Sequence, residues 1–328
     1  MAHNEADRIS RFPNELIPIK QVGSGASGHV LLALSIKEIV QRSNSTPNLE
    51  ELKAALVAVK MFHPQMASNG DALEEVKILE HVRKHANESE HSKRVVQLLS
   101  RDEEEPLRCN WFSMRAGSLA LNNVLWNFEG TDLLIPHLPE ELIWHVFIQF
   151  SEALWFLHKA CNPAIAHGDL HTGNVVLDWA TQDTPGFPNL ILIDFGSAAI
   201  SQEDSEHFEA TEFDLRLDVE EFYSVLVTMS HPTNNSRPYC LTQGCDQSCA
   251  HTEGWLEFKQ HICGKLGDPN STSLEEIMKS FGQVAAANRA RTSEDVLRLI
   301  RQGCSRFVDE ERDLEQHLLS AWNKVRAP

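Results

Sequence analysis

The residues best equipped for chemistry lie in one segment, His167-Gly168-Asp169-Leu170-His171-Thr172-Gly173-Asn174. An aspartate with an asparagine five residues later on a polar loop can divide the work of phosphoryl transfer. Asp169 receives or orients an attacking hydroxyl, and the amide oxygen of Asn174 ligates Mg²⁺. Twenty residues beyond Asn174 comes Ile193-Asp194-Phe195-Gly196. Asp194 closes an apolar run before a phenylalanine and a glycine, a place from which a carboxylate offers oxygen to a hard cation. Two coincidental aspartate turns are the plain alternative, and the order and spacing of the two segments speak against it.

Upstream lies Gly23-Ser24-Gly25-Ala26-Ser27-Gly28-His29-Val30. Glycines at this spacing let the backbone approach a phosphate and turn N–H groups toward it with no Cβ in the way. The pattern also suits a dinucleotide-binding turn, with Glu50 and Glu51 about 20 residues on, or an ordinary glycine-rich turn. Next comes Val57-Ala58-Val59-Lys60. On a strand, Ala58 and Lys60 share a face, so a flat base can rest near the alanine while the ammonium reaches phosphate oxygens. Alone, the tetrapeptide is a strand running out to solvent. Glu75 is placed to hold that ammonium; taken without these neighbours, Glu74 and Glu75 are a solvated helix face.

Such residues need a frame. Apolar runs at 16–22 and 29–33 flank the glycines, and 55–62 is a third, rich in valine; all three read as strands. Residues 36–53, with Ser43, Asn44, Pro47 and Asn48 at the centre, read as a surface insertion with partly helical ends that would tolerate lengthening. Residues 71–83 carry Leu73, Val76, Ile78, Leu79 and Val82 at helical spacing, with Asp71 suited to start the helix. Two more strands are predicted at 95–99 and 108–114, joined by an acidic turn at 102–106. From Pro139 onward the chain is mostly helical apart from strand-like runs at 174–178 and 190–194. The expected fold class is therefore α+β, with a break near 114–118. That gives an extension over 1–14, a small β-rich lobe over 15–116 and a larger α-helical lobe over 117–328.

Composition narrows the function. The chain has 328 residues, 42% hydrophobic and 23% charged, as a folded protein should. Its net charge of −18 opposes binding to phosphodiester backbones or anionic lipid, so no nucleic acid partner and no membrane partner is expected. No apolar run approaches the roughly 20 residues that span a bilayer, since 143–157 is interrupted by His145, Gln149 and Glu152. Residues 1–12 mix His3, Glu5, Asp7 and Arg8 and have no apolar segment of a secretory signal. Seven cysteines, an odd number, point to reduced thiols and an intracellular, cytoplasmic protein. Cys240, Cys245, Cys249, His251, His261 and Cys263 are either a zinc site of unfamiliar spacing or, by default, a loop of reduced thiols. Cys109, Cys161 and Cys304 sit in apolar contexts and are expected to pack.

From about Leu16 onward, the sequence resembles the eukaryotic protein kinase superfamily in five ordered motifs: the glycine loop, the Val57 to Lys60 strand, Glu75, Asp169 to Asn174, and Asp194-Phe195-Gly196. The resemblance implies a bilobal kinase fold with ATP and Mg²⁺ between the lobes. It implies that Gly23, Ser24, Gly25, Gly28, Val30, Ala58 and Met114 line the nucleotide, and that Lys60 holds its phosphates while paired with Glu75. It further implies that Asp169 is the catalytic base, that Asn174 and Asp194 ligate the metal, and that Asp218 receives backbone N–H groups near His167. Three departures bear on the acceptor. Gly168 replaces the arginine that pairs with an activation-loop phosphate. His171 replaces a lysine or alanine, and residues 167–174 are similar to those of aminoglycoside and choline-type phosphotransferases. The segment from Asp194 to Asp218 is short, acidic and without Ala-Pro-Glu. The activity implied is phosphate transfer to a serine or threonine hydroxyl, with a small-molecule hydroxyl as the alternative. A nucleotide-binding pseudokinase scaffold is the third possibility, and the oligomeric state is left open.

Overall fold

The structure is a computed structural model that describes residues 11–42, 48–105, 107–130, 138–200, 212–230, 251–267, 273–305 and 308–326. It is mixed α+β, and the chain divides into two compact units. The first comprises Met1–Arg83, Val96–Gly117 and Arg306–Pro328, and the second Lys84–Val95 and Ser118–Ser305. The chain passes from the first unit to the second after Gly117, between the strand Trp111–Arg115 and the short strand at Leu119–Ala120. The extension expected over 1–14 lies mostly outside the described residues.

Alternating and valine-rich segments give the first unit an antiparallel sheet of β1 (Leu16–Ser24), β2 (Gly28–Ser35), β3 (Val57–Phe62), β4 (Leu98–Arg101) and β5 (Trp111–Arg115) in the order β1-β2-β3-β5-β4. β3 lies at the centre, paired to β2 and β5, and Ala58 through Phe62 are all buried. A branched, apolar strand is suited to a position covered on both faces. Leu31, Ala33, Val59 and Met61 form the core on one face. The helix Asp71–His85 buries Ala72, Glu75, Val76, Leu79 and Val82, a stripe of the kind an amphipathic helix turns inward.

The opposite face holds the largest departure from expectation. The segment read as a tolerant surface insertion forms two short helices, Ile36–Arg42 and Leu49–Ala54, whose Ile39 and Leu52 are fully buried. They share a core with Ile19, Leu32 and Leu34 of the sheet and with Leu314, Leu318, Ala321 and Trp322 of the helix Val308–Arg326. That last helix was expected in the larger lobe, and it packs with the first unit instead. Lys53 fixes the arrangement by bonding to Glu311 at 2.6 Å, Glu315 at 2.9 Å and Glu50 at 3.0 Å, and Lys20 pairs with Asp313 at 2.7 Å. Burial does most of the holding, at roughly 1.5–3 kcal/mol per large apolar side chain, because exposed ion pairs are worth about 1 kcal/mol or less.

The second unit centres on the helix Glu140–Trp155, in which twelve residues are buried, among them Trp144, Phe147 and Phe150. A helix apolar nearly all round belongs in an interior. It packs against Phe222 of the helix Glu212–Ser230 and Phe258 of the helix Trp255–Lys265 through aromatic pairs with centroids 4.4–6.1 Å apart. Short strands β6 (Leu119–Ala120), β7 (Ile165–Ala166), β8 (Val175–Asp178), β9 (Asn189–Leu192) and β10 (Ala199–Ile200) form a three-stranded sheet β6-β8-β9 and a pair β7–β10. Among the described residues no helix is long and apolar enough to cross a membrane.

Candidate functional site

In the first unit, register brings the expected nucleotide residues onto one face of the sheet. Val30 lies opposite Lys60 and Lys60 opposite Phe112, while Ala58 lies opposite Met114. Directly opposed residues share a face, so Val30, Ala58, Lys60 and Met114 occupy two adjacent rows. Lys60 is buried, and its Nζ donates to both carboxylate oxygens of Glu75, at 2.7 and 2.8 Å. The ammonium also stands 5.5 Å from the Phe62 ring centroid. A buried cation and anion in this geometry hold each other at a fixed position, because either one alone would be strongly disfavoured away from water.

The glycine turn joins β1 to β2, with Gly23 opposite Val30, Ser24 opposite His29, and the Gly25 N–H bonded to the Gly28 carbonyl at 2.9 Å. Its glycines have different reasons. A Cβ on Gly28 would lie 2.1 Å from the Met61 carbonyl oxygen, so close strand packing requires that glycine. A Cβ on Gly25 would meet nothing within 4 Å, so its backbone is open to a ligand.

In the second unit the segment around Asp169 is held from three sides. Asp218, fully buried in the helix Glu212–Ser230, accepts from the N–H groups of His167 at 2.8 Å and Gly168 at 2.9 Å, the role that the resemblance implies for it. His158 Nε2 donates to the same carboxylate at 2.9 Å. Glu221, one turn on from Asp218, accepts the Leu170 N–H at 2.8 Å. His158 and Glu221 were not anticipated; for Glu221 the signal was its i, i+3 spacing from Asp218, which puts both on one helix face. Burial holds the His167 imidazole below its usual range, so it is neutral, and its Nε2–H donates to the Ile193 carbonyl at 3.0 Å.

These bonds present three oxygen-bearing side chains. Asn174 Nδ2 donates to the Asp169 main-chain oxygen at 2.9 Å and to its carboxylate at 3.1 Å, which turns the amide oxygen the other way. The Ile193 N–H bonds the Asn174 carbonyl at 3.0 Å, so Asn174 and Asp194 stand at the same end of the β8–β9 hairpin. Asp194 has φ 65°, the left-handed region that a residue other than glycine enters only when its surroundings impose it. Phe195 anchors the turn, buried beside the His167 ring at a centroid distance of 4.8 Å. His171 Nδ1 accepts the Gly173 N–H at 3.0 Å, leaving the proton on Nε2, which stands 3.6 Å from Asp169 Oδ2.

Asn174 and Asp194 each carry the kind of oxygen that Mg²⁺ takes, a hard cation commonly held by one or two protein oxygens together with substrate phosphates and water. Among the described residues no group of three or more histidine, cysteine, aspartate or glutamate side chains gathers to hold a metal. Cys240, Cys245 and Cys249 lie outside the described residues. His251 bonds Glu140, and His261 packs on Phe281 at 5.3 Å. Cys109, Cys161 and Cys304 are buried free thiols, and burial pushes Cys109 up to about 11 and Cys161 up to about 12. Comparison with known proteins places the chain in no group: no protein-family model and no curated protein matches it.

Proposed function

We propose that the chain is an ATP- and Mg²⁺-dependent phosphotransferase of bilobal, protein-kinase-like fold that transfers the γ-phosphate of ATP to a hydroxyl, in the first place a serine or threonine of a protein. The observation that carries this is the buried Lys60–Glu75 pair, bonded at 2.7 and 2.8 Å in one unit, together with the braced Asp169–Asn174–Asp194 segment of the other. MgATP, when bound, supplies the phosphoryl group and the charge neutralisation its transfer requires. Lys60, positioned by Glu75, holds phosphate oxygens. Asn174 and Asp194 offer oxygens to the cation. Asp169 orients the acceptor hydroxyl and receives its proton at the carboxylate, held for that purpose by the Asn174 amide.

A small-molecule hydroxyl is the second reading, and Gly168 favours it. Its φ is 73° and a Cβ there would lie 2.6 Å from the Ser197 carbonyl oxygen, so an arginine that would pair with a phosphorylated segment is excluded at this position. A pseudokinase scaffold has less support, since each residue type the transfer needs is in place. Labelled ATP offered to peptide and metabolite pools tests all three readings. Transfer that vanishes in both Lys60→Ala and Asp169→Ala supports the proposal, and transfer unchanged in both ends it. Label confined to metabolites selects the second reading, and tight nucleotide binding without turnover selects the third.

A further inference from the structure

His63 follows β3 directly and precedes the helix Pro64–Asn69. It occupies the N-cap position of that helix, yet its side chain makes no capping bond. The ring instead turns back to the glycine turn, where Nε2 donates to the Gly25 carbonyl at 3.2 Å. Its main-chain N–H bonds the Ser27 carbonyl at 3.0 Å. The His63 ring also meets the His29 ring edge-on, at a centroid distance of 4.8 Å and an interplanar angle of 88°. His29 Nδ1 in turn shares a 3.0 Å hydrogen bond with Ser24 Oγ. His63 therefore ties both arms of the turn to the end of the strand that carries Lys60, Gly25 through its ring and Ser27 through its main-chain N–H, while the His29 ring packs on His63 and holds Ser24.

The geometry points to His63 and His29 as positioning residues that hold the glycine turn against β3 before any nucleotide arrives. A glycine-rich turn with Gly25 in open space has many conformations to lose on meeting a triphosphate, and each restraint present beforehand lowers that loss. Gly28 packed on Met61 restrains one arm of the turn, and the His63 bond restrains the other. This inference rests on the phosphotransferase reading for its purpose, but the clasp itself is a property of the free protein.

Two measurements separate the clasp from its purpose. Amide hydrogen exchange over 23–30 in the nucleotide-free protein reads the clasp directly. Faster exchange in His63→Ala, restored in His63→Gln, whose amide can reach the same carbonyl, supports it; equal exchange in all three proteins overturns it. Steady-state transfer with MgATP reads the purpose. His63→Ala is expected to raise KM for ATP roughly three- to tenfold and to lower kcat by less, with recovery in His63→Gln. A fall in kcat with KM unmoved, or a wild-type protein that binds no MgATP, removes the positioning role even where the exchange result stands. His29→Ala, which deletes the ring contact and the bond to Ser24 while sparing the His63 bond to Gly25, is expected to fall between the unaltered protein and His63→Ala.

Discussion

Lys60 and Glu75 are each worth more to the other than to the chain as a whole. Removing either side chain's charge leaves its partner buried and uncompensated, so Lys60→Met and Glu75→Gln are each expected to lower unfolding free energy by about 3–5 kcal/mol in denaturant titrations. The double variant Lys60→Met/Glu75→Leu should recover most of that loss while transferring no phosphate. Recovery of activity along with stability would mean that the pair is structural only. His145 gives the protein a pH signature. Burial pulls its imidazole down to about 3, and Nε2–H donates to the Pro188 carbonyl at 2.7 Å. Between about pH 6.5 and 3 the unfolded chain takes up a proton that the folded chain refuses, so stability is full above this window and falls as acid is added. The slope from this residue approaches about 1.4 kcal/mol per pH unit. Urea unfolding at pH 7, 6 and 5 should show a shallower dependence in His145→Gln, and an unchanged slope would show that His145 does not stay neutral on folding.

At the scale of elements, the helix Val308–Arg326 is the test. Trp322 and Leu318 close a core whose other side is Ile39, Leu52, Leu32 and Leu34. Trp322→Ala is expected to destabilise by about 3–5 kcal/mol, with the first unit losing hydrogen-exchange protection ahead of the second; uniform loss, or none, would contradict the packing. The strands flanking the glycines and the helix after Lys60 were legible in the sequence because each carries its own period and is bounded by its own turn residues. The docking of residues 36–54 was not. Its two helices are too short to show a period, and Lys53 meets Glu315 across 262 residues of chain. The Asp169, Asn174 and Asp194 segment was legible because its chemistry is local, whereas the His158 brace reaches Asp218 across 60 residues of chain and Glu221, one of several acidic residues on its helix, offered only its spacing from Asp218. The histidine clasp was hidden as well, since His29 on β2 and His63 after β3 are 34 residues apart and meet only when the strands pair.

For the molecule as a whole, ligand binding should register as stability. MgATP at 100 times its Kd would raise unfolding free energy by about 2.7 kcal/mol, visible as a rise in Tm. Lys60→Ala should abolish the rise and Asp169→Ala should retain it, because only the lysine is assigned to the phosphates; a full rise in Lys60→Ala would remove that assignment. The net charge of −18 makes the same measurement a control, since DNA of any sequence should leave Tm where it was. One feature of the first unit reaches beyond the finished molecule. Its sheet is made early in translation, but the helix that covers the Leu32 and Leu34 face is made only after the whole second unit. Until then the nascent sheet has only the short Ile39 and Leu52 helices on that face, and the side that Leu318 and Trp322 later close is a natural client surface for chaperones.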